Sequence, residues 1–281
     1  MTGVRVASLH VYPVKGCRGI AVQRADVAET GFATAQVLDR EWMVTDPDGL
    51  LVTQREVPEL ALVDVAVDDD ALQLSVPHAA PLRLPLRTVG AHRRPVTVWR
   101  STVIGIDSGD AAAAWLSAWL RMPVRLHRFD RAGMRACNAD YAGESGAHTL
   151  FADGYPLLII GAASLADLNA RLASRGIAAL PMNRFRPNLV LDGLPAYDED
   201  HVDTIAIGDV ELKCVKPCVR CQVTTTDQAT ARTGLEPLRT LGEYRMNDGL
   251  GGVTFGMNAI IVRGAGSTVA VDASAAIEYR F

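Results

Sequence analysis

The 281-residue sequence predicts a mostly β protein with a few helices, in the α+β class. Three observations predict it. Through the first 120 residues, short apolar runs recur between turn signals at the spacing of a barrel or sandwich rather than of βαβ units. Helical periodicity is confined to two later segments. Strand-like runs then return and continue to the end of the chain.

The strands come first. Val4 to Val11 is rich in Val and Leu and ends at Tyr12-Pro13, and Ile20 to Val27 alternates. Gln36 to Asp39 leads into Trp42 to Thr45. Asp46-Pro47-Asp48-Gly49 is a turn, and Leu50 to Gln54 completes an expected hairpin. Leu60 to Val67, Ala71 to Val76 and Leu82 to Leu86 continue the pattern. Asp110 to Leu120 spaces Trp115, Leu116, Trp119 and Leu120 as a helix does. A second helix is expected from a Ser164 cap, with Asp167 at the capping-box distance, to about Ser174, where Gly176 stops it. Further strands are expected at Asn188 to Leu191, Thr204 to Ile207, Val210 to Val215, Ala259 to Arg263, Ser267 to Val271 and Ile277 to Phe281.

Composition excludes several classes. Apolar residues make up 49% and charged residues 21%, which is globular and not disordered or collagenous. The balance of 28 Lys+Arg against 32 Asp+Glu, net -4, lacks the positive excess of a nucleic-acid binder, although such totals can hide a local basic pocket. The longest apolar run, Tyr155 to Ala163, is too short to span a bilayer. No apolar segment precedes the first charges, so no secretory signal is expected and the location is expected to be cytoplasmic, without membrane or nucleic-acid partners.

The five cysteines are Cys17, Cys137, Cys214, Cys218 and Cys221. An odd number with three crowded together is no secreted disulfide framework. The Cys218-x-x-Cys221 pair admits several readings. Structural zinc lacks a second pair or a nearby His, and an iron–sulfur cluster lacks further thiols. A thioredoxin-like pair wants a helix after it, whereas β-branched residues follow here. A single thiolate on a soft transition metal, helped by Arg220, Lys213 and Lys216, and a buried inert thiol both stay open.

Other segments carry polar groups suited to an anion. Lys15-Gly16-Cys17-Arg18-Gly19 offers cations and glycines without P-loop spacing. Arg40 precedes an aromatic strand. Arg186 offers a planar fork and Asn188 both a donor and an acceptor. Thr224 to Asp227, Arg245-Met246-Asn247 and the stretch Gly249 to Gly256 fit either surface structure or loops facing a ligand. No hydrolase, zincin or dinucleotide signature is present.

Taken together, five blocks carry a resemblance. LHVYPVKGCRGI (9–20), DREWMVTDPDGLLVTQRE (39–56), ASLADLNARL (163–172), NRFRPNLVLDG (183–193) and IGDVELKCVKPCVRCQVTTTD (207–227) resemble the MOSC-domain family, the molybdenum cofactor sulfurase C-terminal domain proteins. The similarity is greatest to amidoxime-reducing members and their bacterial counterparts, and it spans nearly the whole chain. It implies a MOSC β-barrel (residues 121–281) packed on a smaller N-terminal β-barrel-like domain (residues 1–120).

It also implies a molybdenum–molybdopterin cofactor, with Cys221 as metal ligand and catalytic thiolate. Lys15, Gly16, Arg40, Arg186, Asn188 and Arg220 would bind the cofactor beside Cys221. The implied activity is reduction of small N-hydroxylated compounds (hydroxylamines, amidoximes, N-hydroxylated bases) by oxygen-atom transfer to molybdenum. Electrons would come from an external flavin, ferredoxin or cytochrome b5-type donor, because no cysteine follows Cys221 to build an intrinsic iron–sulfur cluster. A second implied reading is a sulfur carrier that uses a Cys221 persulfide, or a cofactor-binding module, in metallosulfur cofactor assembly. A third is a non-catalytic binder of an anionic metabolite. The chain departs from its relatives after the threonines, where T-T-V-D-P is common and Thr226-Asp227-Gln228 stands here; this points to an altered substrate rim.

Overall fold

In the computed structural model, residues 3–87 and 92–280 are described. Strands account for 41% of the chain and helices for 18%, so the expected β-dominated class holds. Phe281, the expected end of the last strand, lies outside the described residues.

A nine-stranded sheet forms the larger layer. Its order is Ala276–Tyr279, Val202–Ile207, Val210–Val219, Gly252–Arg263, Leu157–Gly161, Leu189–Asp192, Arg5–Val11 and Ile20–Val22, with Met246–Asn247 paired beside Gly252–Arg263. The first strand thus completes a sheet built mostly from the last third of the chain: Leu9 pairs Leu189 and Val6 pairs Leu191. A five-stranded sheet runs Arg93–Val98, Ser101–Asp107, Arg125–Phe129, Trp42–Thr45 and Val14–Lys15. Two smaller sheets join Leu82–Pro85, Ala71–Ser75 and Asp64–Val67, and Thr268–Ala270, Arg24–Ala28, Gly31–Thr34 and Val37–Leu38. None of the four closes on itself, so the expected barrels are open, layered sheets among the described residues.

Several elements differ from expectation for identifiable reasons. Leu157–Gly161 and Leu189–Asp192 are parallel, joined by the helix Ala162–Ala173. Among the described residues this is the one βαβ unit, and it explains the continuous apolar run: all five residues of Leu157–Gly161 are buried. Ser164 does not cap that helix. It lies inside it, buried, donating to Glu199 Oε2 at 2.7 Å and accepting from the Tyr197 amide at 2.7 Å. Pro58–Leu62 is a 3-10 turn, so the expected strand at Leu60 begins only at Asp64.

The turn after Thr45 forms as expected, with Asp46 Oδ1 accepting the amides of Asp48 and Leu50. The second arm pairs only briefly with the first, through an antiparallel bridge between Thr45 and Leu51 and a bond from the Val52 amide to the Val44 carbonyl at 3.0 Å. The Leu51 amide bonds to Thr97, and the chain passes on as a loop. The strands Arg93–Val98, Ser101–Asp107 and Arg125–Phe129 were not expected; arginines interrupt the apolar pattern of the first and last, and Gly105 that of the middle one.

The stretch from Gly249 reads as a loop by composition, yet Gly252–Arg263 is one long strand. Gly256 has φ +78°, and a Cβ there would stand 2.7 Å from the Ile159 carbonyl oxygen. The glycine permits a close approach between neighbouring strands. Gly256→Ala is therefore expected to destabilise the protein by roughly 2–4 kcal/mol, read as a lower urea midpoint; an unmoved midpoint would show that the strand pair tolerates a side chain there.

His127 supplies a pH dependence. It is fully buried on Arg125–Phe129, with Nδ1 3.2 Å from Thr45 Oγ1 and Nε2 3.7 Å from Asp107 Oδ2, without a hydrogen-bond partner for Nε2 among the described residues. Burial pushes its pKa down to about 4, against the attraction of Asp107. The unfolded chain takes up this proton near pH 6.5, whereas the folded one resists it. Stability from this group is present above pH 6.5 and is lost as pH falls toward 4, by about 3 kcal/mol in all. Urea unfolding between pH 7 and 4.5 should show this slope, flattened in His127→Gln.

Candidate active site

One cleft of ≈ 330 Å³ gathers all seven residues singled out as cofactor or metal contacts: Lys15, Gly16, Arg40, Arg186, Asn188, Arg220 and Cys221. They come from the end of the parallel strand Val14–Lys15, the turn before Trp42–Thr45, the approach to Leu189–Asp192, and the segment after Val210–Val219. The cleft is lined by six cations (Lys15, Arg40, Arg55, Arg186, Lys216 and Arg220) against one carboxylate, Asp153. A chain with net charge -4 thus concentrates positive charge in one place.

The arginines are anchored from behind. Asp39, buried, accepts the Tyr12 amide at 2.8 Å and Asn188 Nδ2 at 2.9 Å, and pairs with Arg40 Nη1. Burial pushes the Asp39 carboxyl up, while Arg40, Tyr12 and Asn188 oppose that. Asn188 Oδ1 accepts from Arg40 Nη1 at 2.9 Å and from the Leu158 amide at 3.1 Å. The Tyr12 ring carries Arg40 at 4.3 Å and Arg186 at 4.4 Å from its centroid. Burial raises its phenol to about 12, so it stays protonated and donates to the Pro187 carbonyl at 3.1 Å.

Among the described residues, Arg135, Arg184, Arg186 and Arg220 each keep one buried N–H without a hydrogen-bond partner, and Arg186 and Arg220 line the cleft. Arg186 Nη1 reaches Gln228 Oε1 only at 3.4 Å, and its buried Nη2 has no partner. Arg220 donates from Nη2 to the Phe185 carbonyl at 2.7 Å and from Nη1 to Cys218 Sγ at 2.9 Å, and its buried Nε has none. Native proteins rarely leave buried donors unpaired, and such groups mark places where a ligand completes the set. Free guanidinium donors at a cationic cleft fit phosphate oxygens or anionic sulfur.

The thiols divide sharply. Cys17 and Cys214 are buried and pushed up to about 12, and Cys137 to about 11, in each case by burial. They are inert in this environment. Cys218 and Cys221 are partly exposed and line the cleft. Cys218 lies within Val210–Val219, whereas Cys221 precedes the 3-10 turn Gln222–Thr225, which the β-propensity of the threonines did not suggest. Among the described residues no group of three or more His, Cys, Asp or Glu side chains could hold a metal ion. A metal at this cleft would be held by a thiolate and by ligands that the protein does not supply.

Several contributors were not legible in the sequence. Gln54 and Gln228 exchange amide contacts at 3.1 and 3.3 Å, and Gln54 Nε2 donates to the Gly16 carbonyl at 2.5 Å. Gln228 thus meets Arg186 directly and Gly16 by way of Gln54. Asp153, Trp99 and Arg55 line the cleft mouth. Arg135 fixes Asp153's loop through bonds to the carbonyls of Leu150, Ala152 and Asp153. Conversely, Arg245 pairs with Asp200, and neither it nor Asn247 lines the cleft.

Residues 3–123 match the MOSC N-terminal beta barrel domain and residues 147–274 match the MOSC domain. The chain is 37% identical over 249 residues to the mitochondrial amidoxime-reducing component 1 of Homo sapiens, covering 86% of this chain and 72% of that protein. It is 36% identical over 248 residues to the mitochondrial amidoxime reducing component 2 of Bos taurus, covering 86% and 73%. For component 1 of Danio rerio the identity is 34% over 248 residues, covering 86% and 75%. With relatives this similar over most of both lengths, the chain belongs to the MOSC-domain family and is similar to its amidoxime-reducing members.

Proposed function

We propose that this protein is a molybdenum-cofactor-dependent reductase of N-hydroxylated compounds. The observation that carries the proposal is the cleft itself, where a partly exposed thiol, Cys221, shares one space with six cations and two unpaired buried guanidinium donors. Relatives named for amidoxime reduction support the substrate class. In this reading, residues 1–120 and 121–281 are the two domains, the location is cytoplasmic, and electrons arrive from a separate flavin, ferredoxin or cytochrome b5-type protein.

The donor set fits an anionic pterin dithiolene. Cys221 would hold the metal. Lys15, Arg40, Arg186 and Arg220 would hold the phosphate and the pterin, with Asn188 orienting Arg40 and Gly16 keeping the loop close. When bound, the cofactor supplies two-electron redox chemistry and an acceptor for the substrate's oxygen. The protein's own part is to supply one thiolate, neutralise the anionic group and leave the mouth open between Trp99, Asp153 and Val219.

The test is metal and pterin analysis of protein produced in a host that makes abundant molybdenum cofactor. About one molybdenum and one pterin per chain are expected, with turnover of hydroxylamine and an amidoxime. Cys221→Ser should abolish turnover and keep the fold. Cys218→Ser should be far milder under reducing conditions, since its thiol accepts from Arg220 Nη1 and donates to the Val219 carbonyl, contacts that a hydroxyl can also make. Folded protein with neither metal nor pterin, but with cyanide-labile sulfur on Cys221, would replace this reading with the sulfur carrier.

A further inference from the structure

The lining of the cleft has an inner and an outer part. The groups that the proposed function gives to the cofactor are buried or half-buried: Lys15, Gly16, Arg40, Arg186, Asn188, Arg220 and Cys221. The lining residues that are exposed are four others, Arg55, Trp99, Asp153 and Val219. A group held by the inner part leaves this rim to whatever arrives from solvent. Two of the four rim side chains are apolar, which is unusual for surface that has no packing partner.

Trp99 is the odd one among its kind. The chain has four tryptophans. Trp42 is buried, and Trp115 and Trp119 pack against the core with their indole N–H groups on the Ala80 and Glu59 carbonyls. Trp99 is 40% exposed. It occupies the first position of the two-residue turn between Arg93–Val98 and Ser101–Asp107, with φ +55°. A hairpin turn with positive φ at that position favours glycine. A bulky side chain held there marks a constraint other than folding.

The ring is also held in one orientation. Its Nε1 donates to Asp153 Oδ1 at 3.0 Å, and the same oxygen lies 2.6 Å from Lys15 Nζ. The Arg55 guanidinium stands 4.8 Å from the ring centroid. An indole fixed at its polar edge and open to water over much of its apolar surface is suited to a flat apolar partner.

Resting on the reductase reading, we propose that Trp99 is a specificity-determining residue, whose indole stacks on a planar substituent of the N-hydroxylated substrate. Val219 adds apolar contact at the same rim. Aryl amidoximes and aryl hydroxylamines are then preferred over unsubstituted hydroxylamine. The N–O group that reacts is common to all of them, so the preference arises at the rim and not at the reacting atoms. Hydroxylamine has nothing to place against the indole. An aromatic contact of this kind amounts to about ten-fold in affinity.

The test compares benzamidoxime with hydroxylamine on cofactor-loaded protein. Reduced methyl viologen supplies the electrons, so no docking protein takes part. In Trp99→Ala the ratio of kcat/KM for benzamidoxime to kcat/KM for hydroxylamine should fall about ten-fold, mainly through a raised KM for benzamidoxime. Trp99→Phe keeps a ring and loses the N–H bond to Asp153, and it should retain most of the ratio. A second reading needs no turnover. Calorimetric titration of benzamidoxime into loaded, oxidised protein without reductant should give an about ten-fold higher Kd in Trp99→Ala and little change in Trp99→Phe. Metal and pterin content is measured for each variant.

An unchanged ratio in Trp99→Ala would overturn the assignment. So would a Trp99→Phe ratio as low as that of Trp99→Ala, which would locate the effect in the Asp153 contact. Loss of metal and pterin from Trp99→Ala would make the indole part of the cofactor site instead. A defect seen only with a ferredoxin as donor, with viologen-driven turnover of both substrates normal, would make it a docking contact for that protein. Each of these results leaves the reductase reading intact. Loaded wild-type protein that reduces neither substrate would overturn the reductase reading, and this assignment with it.

Discussion

The buried carboxylate of Asp39 is the constraint on which the site depends. It lies between the first strand's exit at Tyr12 and the strand entry at Asn188, two segments far apart in sequence. Removing one partner of such a buried pair typically costs about 3–5 kcal/mol, because the other charge is stranded away from water. The Asp39 carboxylate is satisfied only when Tyr12, Arg40 and Asn188 converge. The same convergence sets Arg40 against the Tyr12 ring and seats Arg186 on the other contact of that ring. Fold closure and site assembly are thus one event.

Backbone strain is concentrated at the same point. Arg40 and Arg186 both have positive φ, +49° and +56°. A long side chain in that region is held at a cost of order 1–3 kcal/mol. In each case the unusual turn brings the guanidinium back over Tyr12. Arginine's delocalised plane suits stacking while its edge N–H groups stay free for a planar anion. A glycine there would relax the backbone and lose the donor.

The β-dominated class was legible in the sequence, and the residues singled out for the site meet in one cleft. The seven cleft residues sit in short motifs whose chemistry can be read directly, and they meet in space although their segments are scattered. The closed barrels and the Leu60 strand were not realised, and the βαβ unit was not foreseen. Strand alternation reports which face is buried, but not whether the last strand meets the first. Ser164 had the spacing of a cap and became a buried partner of Glu199, because that carboxylate, thirty-five residues away, has no local signal. Gln54, Gln228 and Trp99 were invisible for the same reason. A glutamine pair and a hairpin-tip tryptophan gain meaning only from what stands opposite them.

The unsatisfied donors follow from these constraints. Arg186 Nη2 and Arg220 Nε are buried without partners, which lowers stability by about 1–3 kcal/mol for each group left unpaired. The knot around Asp39 is rigid enough to hold Arg186 in place despite that cost, and the Phe185 carbonyl and Cys218 hold Arg220. An anion entering the cleft meets donors that are already oriented, so its binding free energy is not spent on ordering long side chains. By linkage, the same anion stabilises the folded chain in proportion to its affinity. A cleft built this way trades stability when empty for tight retention when filled. That suits a resident group better than a passing substrate.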